Sequence, residues 1–166
     1  MREDAMTVNY ARLNFGPYWE MNNANLIELI DLVPDDRLDW SPAPGEWSIK
    51  VLTTHIILAR SRHIIDPGAN AAQRSATVAD CQTKEGLKRQ LRASWETVAS
   101  LLKDQARLDA AYGPPDGDPM YVDPEVYDGH YVAYHRMAHD LHHRSTIIGH
   151  MAQLGISLEG HRVRPL

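Results

Sequence analysis

The chain has 166 residues, 43% of them hydrophobic and 23% charged, and a formal net charge of −5. That length and balance predict a single domain over residues 1–166 that buries a core without disulfides, and the acidic charge argues against a phosphate-binding surface, so no nucleic-acid partner is expected. The single cysteine, Cys81, cannot bridge internally, and the sequence shows neither an apolar leader nor a run of membrane length, which predicts a cytoplasmic protein that engages no membrane.

In chain order, the first helical stretch is predicted over roughly 8–33, with Phe15, Trp19, Leu26, Leu29, Ile30 and Val33 at helical spacing. Pro17 is expected to kink or restart it, and Pro34 lies just past its end. The connector PDDRLDWSPAPGEW is too rich in Pro to be regular, and Trp40 and Trp47 within it are expected to anchor the bundle end. A second helix is predicted from Ser48, a good N-cap, to just before Asp66-Pro67-Gly68. Residues 69–82 are small and polar and read as a loop carrying Cys81. A third helix from about Thr83 presents Leu87, Leu91, Trp95, Val98 and Leu102 as one stripe and reaches Gln105.

Residues 109–128 are broken repeatedly by Pro and Gly and are predicted to form a long irregular connection, either a simple bridge or the wall of a site. The last helix is predicted over about 129–154, with Gly155 in the position that ends helices. No segment alternates with period two, so the fold class predicted is all-α, a four-helix bundle.

Six of the nine histidines lie between residues 130 and 150. His139 and His143 are four apart and stack on one helix face, with His135 and His150 on that face and His142 at its edge. Met137, Leu141, Ile148 and Met151 are placed on the opposite face as a buried seam, and Asp140 and Arg144 are expected to make surface or interfacial contacts. HDLHH, from His139 to His143, lacks the Glu of the zincin motif. His55, on a second-helix stripe with Val51, Leu58, Ala59 and Arg62, is the natural third imidazole. Three neutral imidazoles suit a borderline-soft divalent ion and leave a coordination position open. Spacing alone also fits histidines that are merely hydrogen-bonded within a core, and it leaves both readings standing.

Two motifs carry a resemblance. Trp47-Ser48 stands eight residues before His55, and HDLHHR ends at Arg144. Both are similar to signatures of the DinB/YfiT-like superfamily of metal-binding proteins, in the right order and on the right helices. The resemblance implies an up-down-down-up bundle, His55, His139 and His143 as ligands of one divalent transition metal per chain (zinc, nickel or iron), and a homodimer. It also implies a small-molecule substrate, with a low-molecular-weight thiol as a candidate, in members that are thiol transferases or isomerases. Ser145 departs from the Gly that usually follows, which predicts slightly looser packing there.

The chemistry expected is S-transfer or hydrolysis, with metal-bound thiolate or water as the reactive species and no protein nucleophile. His135, His150 and Arg62 are candidate supporting or pocket residues. A non-catalytic metal-binding, sensor or structural bundle is the alternative, with His135 or His142 as the fourth ligand that would close the site.

Overall fold

The computed structural model describes residues 14–62, 71–111, 128–161 and 163, with side chains described outside 61–62 and 71–75. The helices are α1 (Gly16–Leu32), α2 (Ile49–Arg62), α3 (Ala71–Asp80), α4 (Lys84–Leu102), α5 (Gln105–Asp109) and α6 (Gly129–Gln153). Among the described residues the only β-type pairing is the isolated bridge between Ala111 and Asp128.

Local chemistry sets the helix ends. Pro17 lies in the first turn of α1, where its missing N–H costs nothing, so it starts a helix rather than kinking one. The predicted residues 8–13 lie outside the described residues. Ser48 Oγ accepts from the Val51 N–H at the start of α2, Thr83 caps α4, and Asp128 caps α6 through the Tyr131 N–H at 2.8 Å. Gly155, at φ +71°, ends α6 in the left-handed conformation that disfavours a Cβ.

Two expectations are corrected. Residues 71–80 form helix α3 rather than a loop, and Gly86 is where α4 meets it, since a Cβ there would run into the Asp80 carbonyl. The third predicted helix stops at Leu102, and Gln105 opens the separate short helix α5, capped by Asp104. Residues 112–127, most of the predicted irregular connection, lie outside the described residues, as do 63–70 at the predicted end of the second helix.

Side-chain contacts fix the helix directions. Lys88 at the start of α4 pairs with Asp31 at the end of α1, and Trp95 packs on Trp19 at the other end, so α1 and α4 are antiparallel. Phe15 meets Tyr134 and Asn22 meets Arg144, so α1 and α6 run parallel. Trp47 meets His143 and Arg60 meets Asp140, so α2 opposes α6. The order is therefore up-down-down-up over α1, α2, α4 and α6, the predicted topology, with α3 and α5 added to it.

The interior has three tiers. One apolar cluster gathers Leu26, Ile30, Ile56, Leu91, Ile147 and Met151, and a second gathers Trp19, Val98, Leu101, Val132, Ala133 and Met137. Between them runs a polar layer. Arg60, fully buried, pairs with Asp140 at 2.7 Å and donates to Asn23 at 2.7 Å and Ser94 at 3.2 Å. Trp19 Nε1 donates to the same Asp140 oxygen at 2.6 Å, and Arg144 donates to Asn22 at 3.0 Å.

Asp140 and Arg144 are thus interior residues, not surface ones. The buried face of α6 runs through Ala133, Arg136, Met137, Asp140, Arg144, Ile147 and Met151, while Leu141 and Ile148 are only partly buried. On α2, Val51 is 44% exposed, and the core face passes through Ile49, Leu52, Ile56 and Arg60. Ser145 is exposed and bonds back to the Leu141 carbonyl at 3.0 Å, so no helix among the described residues packs closely on it. No helix among the described residues is long and apolar enough to cross a membrane.

Candidate metal centre

α2 and α6 cross so that His55 faces the His139–His143 pair, one turn apart on α6. The ring centroids are 4.8 Å (His55–His139), 4.8 Å (His55–His143) and 4.4 Å (His139–His143) apart. Nε2 of His139 lies 2.9 Å from Nε2 of His55 and 3.1 Å from Nε2 of His143. Donors about 2.0–2.1 Å from a tetrahedral ion would stand about 3.3 Å from one another, close to these separations. One nitrogen from each ring lies within 4.8 Å of the others, and this group includes neither His135 nor His142.

Without a cation this cluster cannot satisfy itself. Nε2 of His139 has either one proton or one lone pair to share between two neighbouring nitrogens, so one contact is always unmet. Rings with the proton on Nδ1 aim three lone pairs at one point, the donor set a borderline-soft divalent cation takes. Nδ1 of His139 and of His143 are buried with no hydrogen-bond partner. Asp140 Oδ1, itself unpartnered, lies 4.0 Å from the first. Metal-bound histidines commonly hold such a carboxylate on the far nitrogen.

Electrostatics keep the His143 ring neutral. Burial, then the charges that His139, His55 and His142 would carry, push His143 down to about 4, and Asp140 opposes this weakly. Burial also lowers His150, with Glu46 opposing. At neutral pH these lone pairs are available.

Of the three imidazoles, His143 lines a cleft of about 260 Å³. Gly45, Glu46, Trp47 and Leu52 form one wall; His142, His143, Thr146 and His150 on α6 form the other. Trp47 is 46% exposed and is no mere anchor at the bundle end. Its ring lies 4.9 Å from His55 and stacks on His143 at 6.1 Å. Trp40 packs perpendicular to His150 at 5.8 Å.

Of the other predicted residues, His150 is buried and lines the cleft, while His135 stacks on Tyr131 away from the three-nitrogen group. His142 is exposed, 5.0 Å from His143. The Arg62 side chain and the proposed wall over 112–127 lie outside the described residues. Cys81 lies in the short turn between α3 and α4, as expected of a loop residue, but it is fully buried against the larger apolar cluster, and burial raises its thiol pKa. Glu46, Trp47 and the Arg60–Asp140 pair were not foreseen at the site. Trp47-Ser48, eight residues before His55, held the signal for Trp47, because a helix N-terminus two turns away brings the preceding residue over the same face.

No curated protein matches the chain. A crystal structure assigned to the DinB family, from Exiguobacterium sibiricum 255-15, shares the fold at a TM-score of 0.58 and 19% identity, over 92% of this chain and 97% of that one. The sequence profile of the DinB superfamily matches residues 18–147, a span that includes most of α1, the polar layer and all three converging imidazoles, and the chain belongs to that superfamily.

Proposed function

We propose that the chain is a metal-dependent enzyme that holds one divalent transition ion through His55, His139 and His143 and acts on a small molecule in the adjoining cleft. The observation that carries this reading is the convergence of three imidazoles, one of which, His143, lines a cleft. The transformation proposed is S-transfer from a low-molecular-weight thiol, or hydrolysis by the same centre, with zinc, nickel or iron as the ion. When bound, such an ion supplies Lewis acidity sufficient to bring a thiol or water to its anionic form near neutral pH.

The chain's own residues do the rest. The three imidazoles bind as neutral donors. Trp47 shields one side of the cluster from water, and the Arg60–Asp140 pair fixes the spacing of α2 and α6. The lone thiol, Cys81, is sealed in the core, so the nucleophile comes from the substrate. A homodimer in the cytoplasm belongs to the same proposal. Tyr18 and Met21 on α1 and Tyr134 on the neighbouring α6 stay exposed and offer it a face.

The test is cobalt substitution. One equivalent per chain should bind, and its visible spectrum should change when a small thiol or anion is added. A spectrum indifferent to both would replace the enzyme with a protein that only holds metal. One equivalent retained after all three histidines are changed to Ala would overturn the ligand assignment.

A further inference from the structure

The walls of the cleft carry a chemistry that the three imidazoles do not account for. Glu46 is the one side chain among the described lining residues with a full charge above pH 7, because imidazoles are ordinarily neutral there. Neither Lys nor Arg lines it among the described residues. Trp47 adds an aromatic wall beside that carboxylate.

His150 is the most telling residue. It is 5% exposed, and its Nδ1 is sealed with no hydrogen-bond partner. An imidazole buried this way costs stability unless something pairs with it. Its other nitrogen is not sealed, and the residue lines the cleft. With the proton on Nδ1, beside the perpendicular indole of Trp40, the Nε2 lone pair is left for a donor entering the cleft. Thr146 donates its hydroxyl hydrogen to the His142 carbonyl at 3.2 Å, so its oxygen too presents lone pairs. A carboxylate, an imidazole nitrogen and a hydroxyl oxygen give three acceptors around one space. A primary ammonium group has three donors and one positive charge.

We infer that the cleft is a subsite for the protonated amine of a small molecule, held by Glu46, His150, Thr146 and the Trp47 ring. Cation–π attraction to Trp47 and the charge of Glu46 favour an ammonium over a neutral hydroxyl, and repulsion by Glu46 disfavours a carboxylate. This deepens the proposed function. It rests on that reading only for its purpose, since it makes the substrate an amine-bearing molecule whose reacting atom faces His55, His139 and His143. Amine binding itself needs no metal.

The experiment titrates metal-free protein with benzylamine, benzyl alcohol and benzoate, followed by tryptophan fluorescence and calorimetry. Benzylamine should bind about tenfold more tightly than benzyl alcohol, and benzoate should bind most weakly. Glu46→Gln changes a surface-facing carboxylate without loss of volume, and it should remove that tenfold preference while leaving benzyl alcohol unchanged. His150→Gln should weaken benzylamine alone. Equal affinities for the three probes, or a preference unmoved by Glu46→Gln, would overturn the subsite. Cobalt content measured on separate aliquots reports the neighbouring centre independently. Amine preference without cobalt uptake sinks only the metal reading, and cobalt uptake without amine preference sinks only this one.

Discussion

His139 and Asp140 are consecutive on α6, yet they belong to two kinds of polar interior. On the Asp140 side, one carboxylate oxygen takes both Arg60 and Trp19, and Arg60 is shared further with Asn23 and Ser94. That layer is held by its own charges and donors. On the His139 side, three imidazoles crowd one point with nitrogens 2.9 and 3.1 Å apart and the far nitrogens of His139 and His143 left unpaired. The Arg60–Asp140 pair is fully buried and the histidines only half-buried, and both sets hold buried atoms without a partner, Arg60 Nη2 and Asp140 Oδ1 in the first and Nδ1 of His139 and of His143 in the second. The difference lies in what is brought together: opposite charges with matched donors and acceptors make a scaffold by themselves, whereas like nitrogens facing one another mark where a cation would bind.

The largest effect that tests this contrast comes from Asp140→Ala. It leaves Arg60 charged and buried without its partner, which should cost about 3–5 kcal/mol of folding stability by urea denaturation. A loss below about 1 kcal/mol would mean the layer is not what holds α2 to α6. His139→Ala, one residue away, should do the opposite. Metal affinity should fall by at least about a hundredfold, while metal-free stability stays within about 1 kcal/mol of the parent. If that variant instead unfolded like Asp140→Ala, the two regions would be one structural unit and the comparison would fail.

Acid should separate them further. His143 titrates near 4 in the folded chain against an ordinary 6.5, and His150 is lowered as well. The unfolded chain therefore takes up these protons first as pH falls. Stability present above about pH 6.5 is lost progressively down to about pH 4 and changes no further below it through His143. Metal-free urea midpoints should drop between about pH 7.5 and about pH 5, and His143→Gln should make that drop shallower. An equally steep drop in the variant would remove the histidine cluster as the cause.

The smallest effect concerns Ser145, exposed on the same helix. Ser145→Gly should cost about 0.5 kcal/mol through helix propensity alone. A gain in stability would reveal a close-packed neighbour on that face, such as a second copy of the chain.

Much of this was legible in the sequence. Ser48, Thr83 and Gly155 announce helix ends because caps act locally, and the i,i+4 pair of His139 and His143 follows from helical pitch. What stayed hidden depends on contacts between distant elements. Asp140 and Arg144 read as surface residues because a charge has no reason to be inside until its partners, Arg60 and Asn22, arrive from other helices. The burial of Cys81 stayed hidden because the segment before it looked small and polar, whereas its alanines form α3 and the turn that follows delivers the sulfur to the core. The cleft was invisible for the same reason, since Glu46 and His150 lie on opposite walls and about a hundred residues apart.

The Arg60–Asp140 contact also bears on how an ion would come and go. It joins α2 to α6 little more than a turn from His55 and beside His139, and it does so through protein groups alone. In domains where metal capture and folding are one event, releasing the ion dismantles the structure, so exchange is as slow as unfolding. Here the Arg60–Asp140 pair ties the helices together through their own side chains, so in the proposed centre loading and release would be a matter of one imidazole letting go at a time at the mouth of the cleft. Such a centre would follow the metal supply around it within the lifetime of a single folded molecule, and which ion it carries would depend on the cell's composition at that moment rather than on the conditions in which the chain first folded.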